Sequence, residues 1–275
     1  MFKTFVPSPQ RKARAQAGFT LVEMSVVLLV IGLILGAVSV GKDLQRDAEY
    51  IKIKQKFVDP WASAYNSYFM RAGVVLGDSQ TQPSFMVNGT TFGGTSGSTG
   101  DTSALALPAA ICDSTTAQPG TGTRATPIAT LYSEMDRLGV RMPAGRSEGR
   151  EARYLYLDSN GNPQEVQVCF QWNAPNASGT VTGNNSGNVM VISGLTPDLA
   201  RALDQMIDGK ADAQEGMFRQ VDVANGTAGA AGVEWKANNT FVQGAGSPAS
   251  AAVTDASRKD EDQVITVVAQ YKMNQ

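Results

Sequence analysis

Glu23 is a carboxylate in a costly place: it is the only charged residue in the 23 residues from Phe19 to Gly41. An ionised side chain well inside a membrane segment costs about 2.5–3.5 kcal/mol on insertion scales, so it asks for a partner there. Immediately before this stretch, Ala15-Gln16-Ala17-Gly18 offers small residues behind a basic run containing Lys3, Arg11, Lys12 and Arg14. That pattern is a substrate for proteolysis rather than a catalyst. The other reactive side chains are two cysteines, Cys112 and Cys169. There is no histidine, which removes the commonest general base and the commonest metal ligand, so Ser/His/Asp and Cys/His triads and most zinc sites cannot be built. The chain is read as a non-enzyme, with no cofactor and no metal expected.

The element that must position Glu23 is a membrane helix. Twenty-three residues at 1.5 Å each span about 35 Å, enough to cross a bilayer core. The flanking cations all lie on its N-terminal side, which leaves the leader in the cytoplasm and the rest of the chain outside the inner membrane. Removing residues 1–18 takes away those four cations and no acid, moving the net charge from −2 to −6. A mildly acidic mature chain has no general attraction for nucleic acid. In an ordinary secretory signal the small-residue cut follows the apolar stretch, whereas here it precedes it. The conventional alternatives are a cut after Ser39, using Ala37 and Ser39, or an uncleaved anchor. Glu23 has no purpose in either.

The run Gly18-Phe19-Thr20-Leu21-Val22-Glu23-Met24, behind a basic leader and ahead of the apolar run Val26 to Leu35, resembles the prepilin processing site of type IV pilins and type II secretion pseudopilins. The resemblance implies that Gly18 is the last leader residue, recognised by the prepilin peptidase/N-methyltransferase, and that Phe19 becomes the N-methylated first residue. It implies that Glu23 pairs with the α-amino group of Phe19 on a neighbouring subunit, turning two costly charges in lipid into one neutral contact. The plainer reading of Glu23 is a carboxylate snorkelling to the headgroups.

Beyond the membrane Leu44, Ala48, Ile51, Gln55, Val58, Ala62, Tyr65 and Phe69 recur at alternating intervals of four and three, with Phe57, Trp61, Ala64 and Tyr68 on an adjoining stripe,. One helix is therefore expected from residue 19 to 71, about 80 Å long if continuous. Its first part, 19–41, is the transmembrane and assembly segment. Pro60 should bend it just before residue 60 by removing a backbone hydrogen bond and crowding the carbonyl four residues back. Gly32, Gly36 and Gly41 are further flexible points. Many type IV pilins carry a proline near Val40; this chain has none, so whether Gly36 and Gly41 do that job stays open.

Residues 72–275 read as a β-rich globular head. Strands are expected at Arg153 to Leu157 and Glu165 to Trp172, around the turn Asp158-Ser159-Asn160-Gly161-Asn162-Pro163, and at Asn188 to Ser193, Met217 to Val223, Val233 to Lys236 and Val264 to Lys272. Short helices are expected at Thr130 to Leu138 and from the N-cap Thr196 to about Ile207. Polar loops are expected at 93–104, 175–188, 224–232 and 244–252. The order gives an α+β fold, and the resemblance implies the pilin ladle: a long N-terminal α-helix, its first half transmembrane, packed on an antiparallel β-sheet head. Ile207 to Asp212 also looks like helix-to-turn segments of pilin heads. With both cysteines outside the membrane, one disulfide, Cys112 to Cys169, is expected; two buried free thiols are the alternative.

Two further signals weaken on inspection. Asp158, Asn160 and Asn162 have the spacing that opens an EF-hand loop, but Pro163 stands at its glycine position and Cys169 at its bidentate Glu, so calcium is not expected. Asn88, Asn176, Asn184, Asn225 and Asn238 head glycosylation sequons of a kind this composition produces by chance.

Three functions remain. The first is a structural subunit of a type IV pilus, a pilin or minor pilin, polymerised through its N-terminal helix into a surface filament for adhesion, motility or DNA uptake. Its partners would be the prepilin peptidase, other pilin subunits, the assembly platform and its ATPase, and the inner membrane before assembly. The second is a pseudopilin of a type II secretion system, remaining in the periplasm. The third is an unrelated anchored extracytoplasmic binding protein.

Overall fold

The computed structural model describes residues 18–91, 108–113, 130–158, 161–173, 186–221, 223, 232–235 and 266–273. Helix α1 covers Leu21–Ile53 and is followed without a break by a π-helical turn, Lys54–Val58, and by α2, Asp59–Ala72. The helix begins two residues after Phe19 because Thr20 is its N-cap: the Met24 amide donates to the Thr20 carbonyl,. It ends one residue past Arg71 because Gly73 takes a left-handed conformation (φ 74°) and returns its N–H to Phe69 O at 2.8 Å,.

Pro60 acts on the turn ahead of it. Its ring cannot sit above the Lys56 carbonyl in an α-helix and it has no N–H to give. The chain widens by one residue instead, with Asp59 N–H reaching back to Lys54 O, and α2 restarts with Pro60 in its first turn,. Lys54 Nζ binds both carboxylate oxygens of Asp59 at 2.9 Å across that wider turn.

Among the described residues the sheet is antiparallel throughout and five-stranded, in the order β1-β2-β3-β5-β4, with β1 Arg153–Leu157, β2 Pro163–Asn173, β3 Gly187–Leu195, β4 Phe218–Gln220 and β5 Val267–Lys272. A long apolar N-terminal helix with this sheet is an α+β composition consistent with a pilin-like fold. The hairpin register pairs Arg153 with Gln167 and Leu157 with Pro163. Beyond the first residue of β1, Ile111 takes its place beside β2 and exchanges two backbone hydrogen bonds with Phe170, at 2.7 and 3.0 Å. A bulge between Ile192 and Leu195 shifts the register of β3 on β5. Gly194 occupies it at φ 81°, and a Cβ there would collide with the Glu165 carbonyl oxygen,. Helix α3 is Thr130–Arg137, and α4 is Pro197–Asp208, with Thr196 Oγ1 accepting from Leu199 N–H.

Two expectations need correction. Val233 to Trp235 is not a strand: Val233 N–H goes to Asp212 Oδ1, its carbonyl accepts from Ala213 N–H at 2.9 Å, and the Trp235 indole goes to Asp204 Oδ2, so the segment is tied to the turn after α4 and not to the sheet. The strand expected from Met217 to Val223 shrinks to Phe218–Gln220, because Val221 already turns away while its N–H still bonds Val268 O. The polar loops expected at 93–104 and 244–252, and most of those at 175–188 and 224–232, lie outside the described residues.

The chain divides into two compact units, Met1–Arg46 and Asp47–Gln275. In the second unit the sheet has two unlike faces, as strand alternation requires. One face, with Val166, Val168, Phe170, Met190, Ile192 and Ala269, packs on Ile53, Phe57, Trp61, Tyr65 and Tyr68 of the helix; Tyr65 stacks on Phe170 with ring centres 5.2 Å apart. The other face buries a smaller cluster of Ala110, Cys112, Cys169, Val189, Val191 and Val268. Alongside it run the buried amides Gln171, Asn173 and Gln270, linked by hydrogen bonds of 2.7 and 2.9 Å,.

Candidate functional site

In the first unit, residues 18–42 are all exposed, with Phe19 at 80% and Leu21 at 86%. Among the described residues, one helix, Leu21–Ala72, is long and apolar enough to cross a membrane, and its most apolar 18-residue window is wholly exposed in the isolated chain. Apolar surface on that scale needs lipid or other helices over it.

Glu23 lies in the first turn of α1 and closes a capping box with Thr20. The Thr20 N–H and hydroxyl both donate to Glu23 Oε2, at 2.8 and 2.9 Å, and the Glu23 N–H donates back to Thr20 Oγ1 at 3.2 Å,. The carboxylate therefore satisfies orphan groups of the helix start and sits at its positive end. The spacing Thr-x-x-Glu is visible in the sequence, where the processing motif hides its second meaning. Ser25 Oγ donates to Val22 O at 2.8 Å, so this hydroxyl is also satisfied within the helix.

A Cβ built on Gly18, Gly32, Gly36 or Gly41 would meet nothing within 4 Å. The fold of the isolated chain does not demand glycine at any of them, so any requirement must come from what binds the chain there. Gly18 and Phe19 are both exposed.

In the second unit Cys112 and Cys169 are joined by a disulfide across 57 residues and are buried in the far-face cluster. The bond fixes Asp113 next to it. That carboxylate accepts from Arg153 Nε at 3.1 Å, Gln167 Nε2 at 2.6 Å and Tyr132 OH at 3.3 Å, tying segment 108–113 to β1, β2 and α3. Asp158 accepts from Asn162 N–H at 2.8 Å and from Asn162 Nδ2 at 3.3 Å, so its carboxylate ties its own turn. No group of three or more Cys, Asp and Glu side chains is placed to hold a metal among the described residues. Asn88 is buried and its Nδ2 donates to Ala109 O at 2.9 Å, which denies that sequon to a glycosyltransferase. The other four sequons lie outside the described residues.

Residues 13–39 match the family model of the prokaryotic N-terminal methylation motif. The chain thus carries the class III signal peptide of type IV pilins and pseudopilins, and that motif implies processing by prepilin peptidase and assembly with pilin-type subunits. It points to a structural subunit rather than an enzyme. With the apolar helix it fits membrane anchoring before assembly. No curated protein and no solved structure matches the chain.

Proposed function

We propose that the chain is a subunit of a type IV pilus, cut after Gly18, N-methylated at Phe19 and polymerised through its N-terminal helix into a surface filament. Before assembly the segment 19–41 holds it in the inner membrane with residues 72–275 outside; assembly relies on a platform and ATPase that the chain does not contain. The observation that carries this reading is the methylation motif at residues 13–39 running directly into a wholly exposed apolar helix. Glu23 then pairs with the Phe19 amine of a neighbouring subunit, exchanging part of its capping box for an ion pair in a low-dielectric environment.

The test is mass spectrometry of the mature N-terminus in filaments sheared from native cells. A chain starting at N-methylated Phe19 in that fraction is expected. A start at Met1 or after Ser39 refutes the processing. A correctly processed chain confined to the cell envelope and missing from the sheared fraction would assign the protein to a type II secretion pseudopilus instead.

A further inference from the structure

The aspartates Asp204, Asp208 and Asp212 mark the end of α4 and the turn after it, and Asp204 and Asp212 hold down the segment 232–235. Asp204 is fully buried. Its Oδ2 accepts from Trp235 Nε1 at 2.7 Å and from Asp212 N–H at 2.6 Å. Its Oδ1 is buried and receives no donor. Asp208 stands one helical turn on, on the same face of α4, and its Oδ2 accepts the Phe218 N–H at 2.9 Å,. Two carboxylates at the C-terminal end of a helix, one of them without water, repel each other and oppose the macrodipole.

We propose that Asp204 keeps its proton, with Oδ1–H donating to Asp208, and that this proton is a pH-sensitive latch pinning the Trp235 segment onto the end of α4. The proton supplies the donor that Asp204 Oδ1 otherwise lacks, and it removes one of two neighbouring negative charges. Losing it leaves a buried anion beneath Trp235, against Asp208.

The surrounding charges do not replace that proton. From the turn after α4, Lys210 is bound to Asp212 Oδ2 at 2.9 Å and lies 3.8 Å from Glu215. From α4, Arg201 is committed to Glu234, beside Trp235, at 2.7 Å. From the sheet, Tyr271 of β5 reaches the site through Phe218 and stays neutral, because burial pushes its hydroxyl up. Burial likewise pushes the Asp204 carboxyl up to about 7, with Asp208 adding to the rise against the pull of its donors Trp235 and Asp212.

The sign follows. A carboxyl whose native pKa lies above its unfolded value binds its proton more tightly when closed, so the latch is firm in acid and weakens as pH rises towards about 7,. The opening reports on itself through the backbone bond from Ala213 N–H to Val233 O, 2.9 Å long.

Hydrogen exchange of the full chain in detergent micelles tests this, read on peptides covering Ala213 and residues 232–235 and corrected for intrinsic exchange. Protection there should fall by up to about tenfold per pH unit between pH 5 and 7 and level off above. Asp204→Asn, which keeps an acceptor for Trp235 and gains a permanent donor for Asp208, should flatten the profile and protect the segment more than the natural residue at pH 8. Asp208→Asn should move the levelling point to lower pH, and serves alone if Asp204→Asn does not fold. A flat profile in the natural chain, an unchanged slope in Asp204→Asn, or an unmoved levelling point in Asp208→Asn would overturn the latch.

Discussion

Replacing Cys112 and Cys169 together by alanine removes a link that closes a loop of 57 residues. The contacts around it show where the cost must fall. Ile111 still exchanges its two hydrogen bonds with Phe170, Asp113 still receives Arg153 and Gln167, and Ala110 still belongs to the far-face cluster with Val189 and Val191. The native state therefore loses one buried bond and little else. The unfolded state gains the freedom of the opened loop, which for a separation of 57 residues amounts to about 4 kcal/mol at 25 °C in the chain-entropy description,. That is a large fraction of the usual 5–15 kcal/mol net stability of a domain. The assay is urea unfolding of the full chain in detergent micelles, followed by tryptophan emission, since Trp61, Trp172 and Trp235 are all buried. The midpoint should drop and the slope m should rise, because the opened unfolded chain exposes more surface. Reduction of the natural chain should give the same shift. A loss under about 1 kcal/mol, or reaction of the native chain with a thiol label before reduction, would refute the reasoning.

Two backbone positions give sharper tests on a smaller scale. Gly194→Ala should destabilise by more than about 2 kcal/mol, since it demands a left-handed conformation of a residue with a Cβ and drives that Cβ into the Glu165 carbonyl; thermal unfolding measures it,. Asn188→Ala should cost about 2–3 kcal/mol and raise exchange at the Val87 amide. Asn188 Oδ1 accepts that buried N–H at 2.9 Å and its Nδ2 holds Phe85 O at 2.9 Å, so truncation leaves both groups unpaired,. Unchanged exchange at Val87 would show that the loop 73–91 is held by other means.

Periodicity made the scaffold legible. Val166, Val168 and Phe170 alternate with Gln167 and Cys169, and the structure sends the two sets to opposite sheet faces. The helix was legible for the same reason, at the spacing of Phe57, Trp61, Ala64, Tyr65 and Tyr68. What escaped was decided by side chains rather than by pattern. Val233 to Trp235 reads as a short strand until Asp204 and Asp212 take its donors. That Pro60 disturbs the turn ahead of it follows from sequence, but the form of the disturbance, a π turn spanned by Lys54 and Asp59, depends on which carbonyl accepts. Asp204 had a signal that went unread: it shares the buried face of α4 with Leu199, Ala200 and Leu203, and an acid on an apolar stripe needs a reason,. The capping box was likewise spelled out in Thr20 and Glu23. The disulfide followed from topology, because two thiols outside the membrane have one intrachain pairing to make.

The exposed helix also limits what can drive assembly. The apolar side chains from Leu21 to Val40 must be covered whether the chain is alone in a bilayer or beside other subunits. Lipid tails are as apolar as leucine, so passing from bilayer to bundle gains little from the hydrophobic effect. The difference between the two states must come from packing and from polar groups. In the proposed filament close packing would fall to Gly32, Gly36 and Gly41, whose missing side chains the isolated chain does not need and a neighbouring backbone can use,. The polar part would fall in that filament to Glu23, because Ser25 is satisfied within its own turn and Glu23 alone carries charge there. In the isolated chain two donors from Thr20 temper that charge without neutralising it. Only an added cation or proton can do so, and under the proposed processing the cut after Gly18 creates a cation one residue from the capping box. Processing and assembly are then coupled through a single carboxylate: before the cut, Phe19 N is an amide and offers Glu23 no charge to pair with.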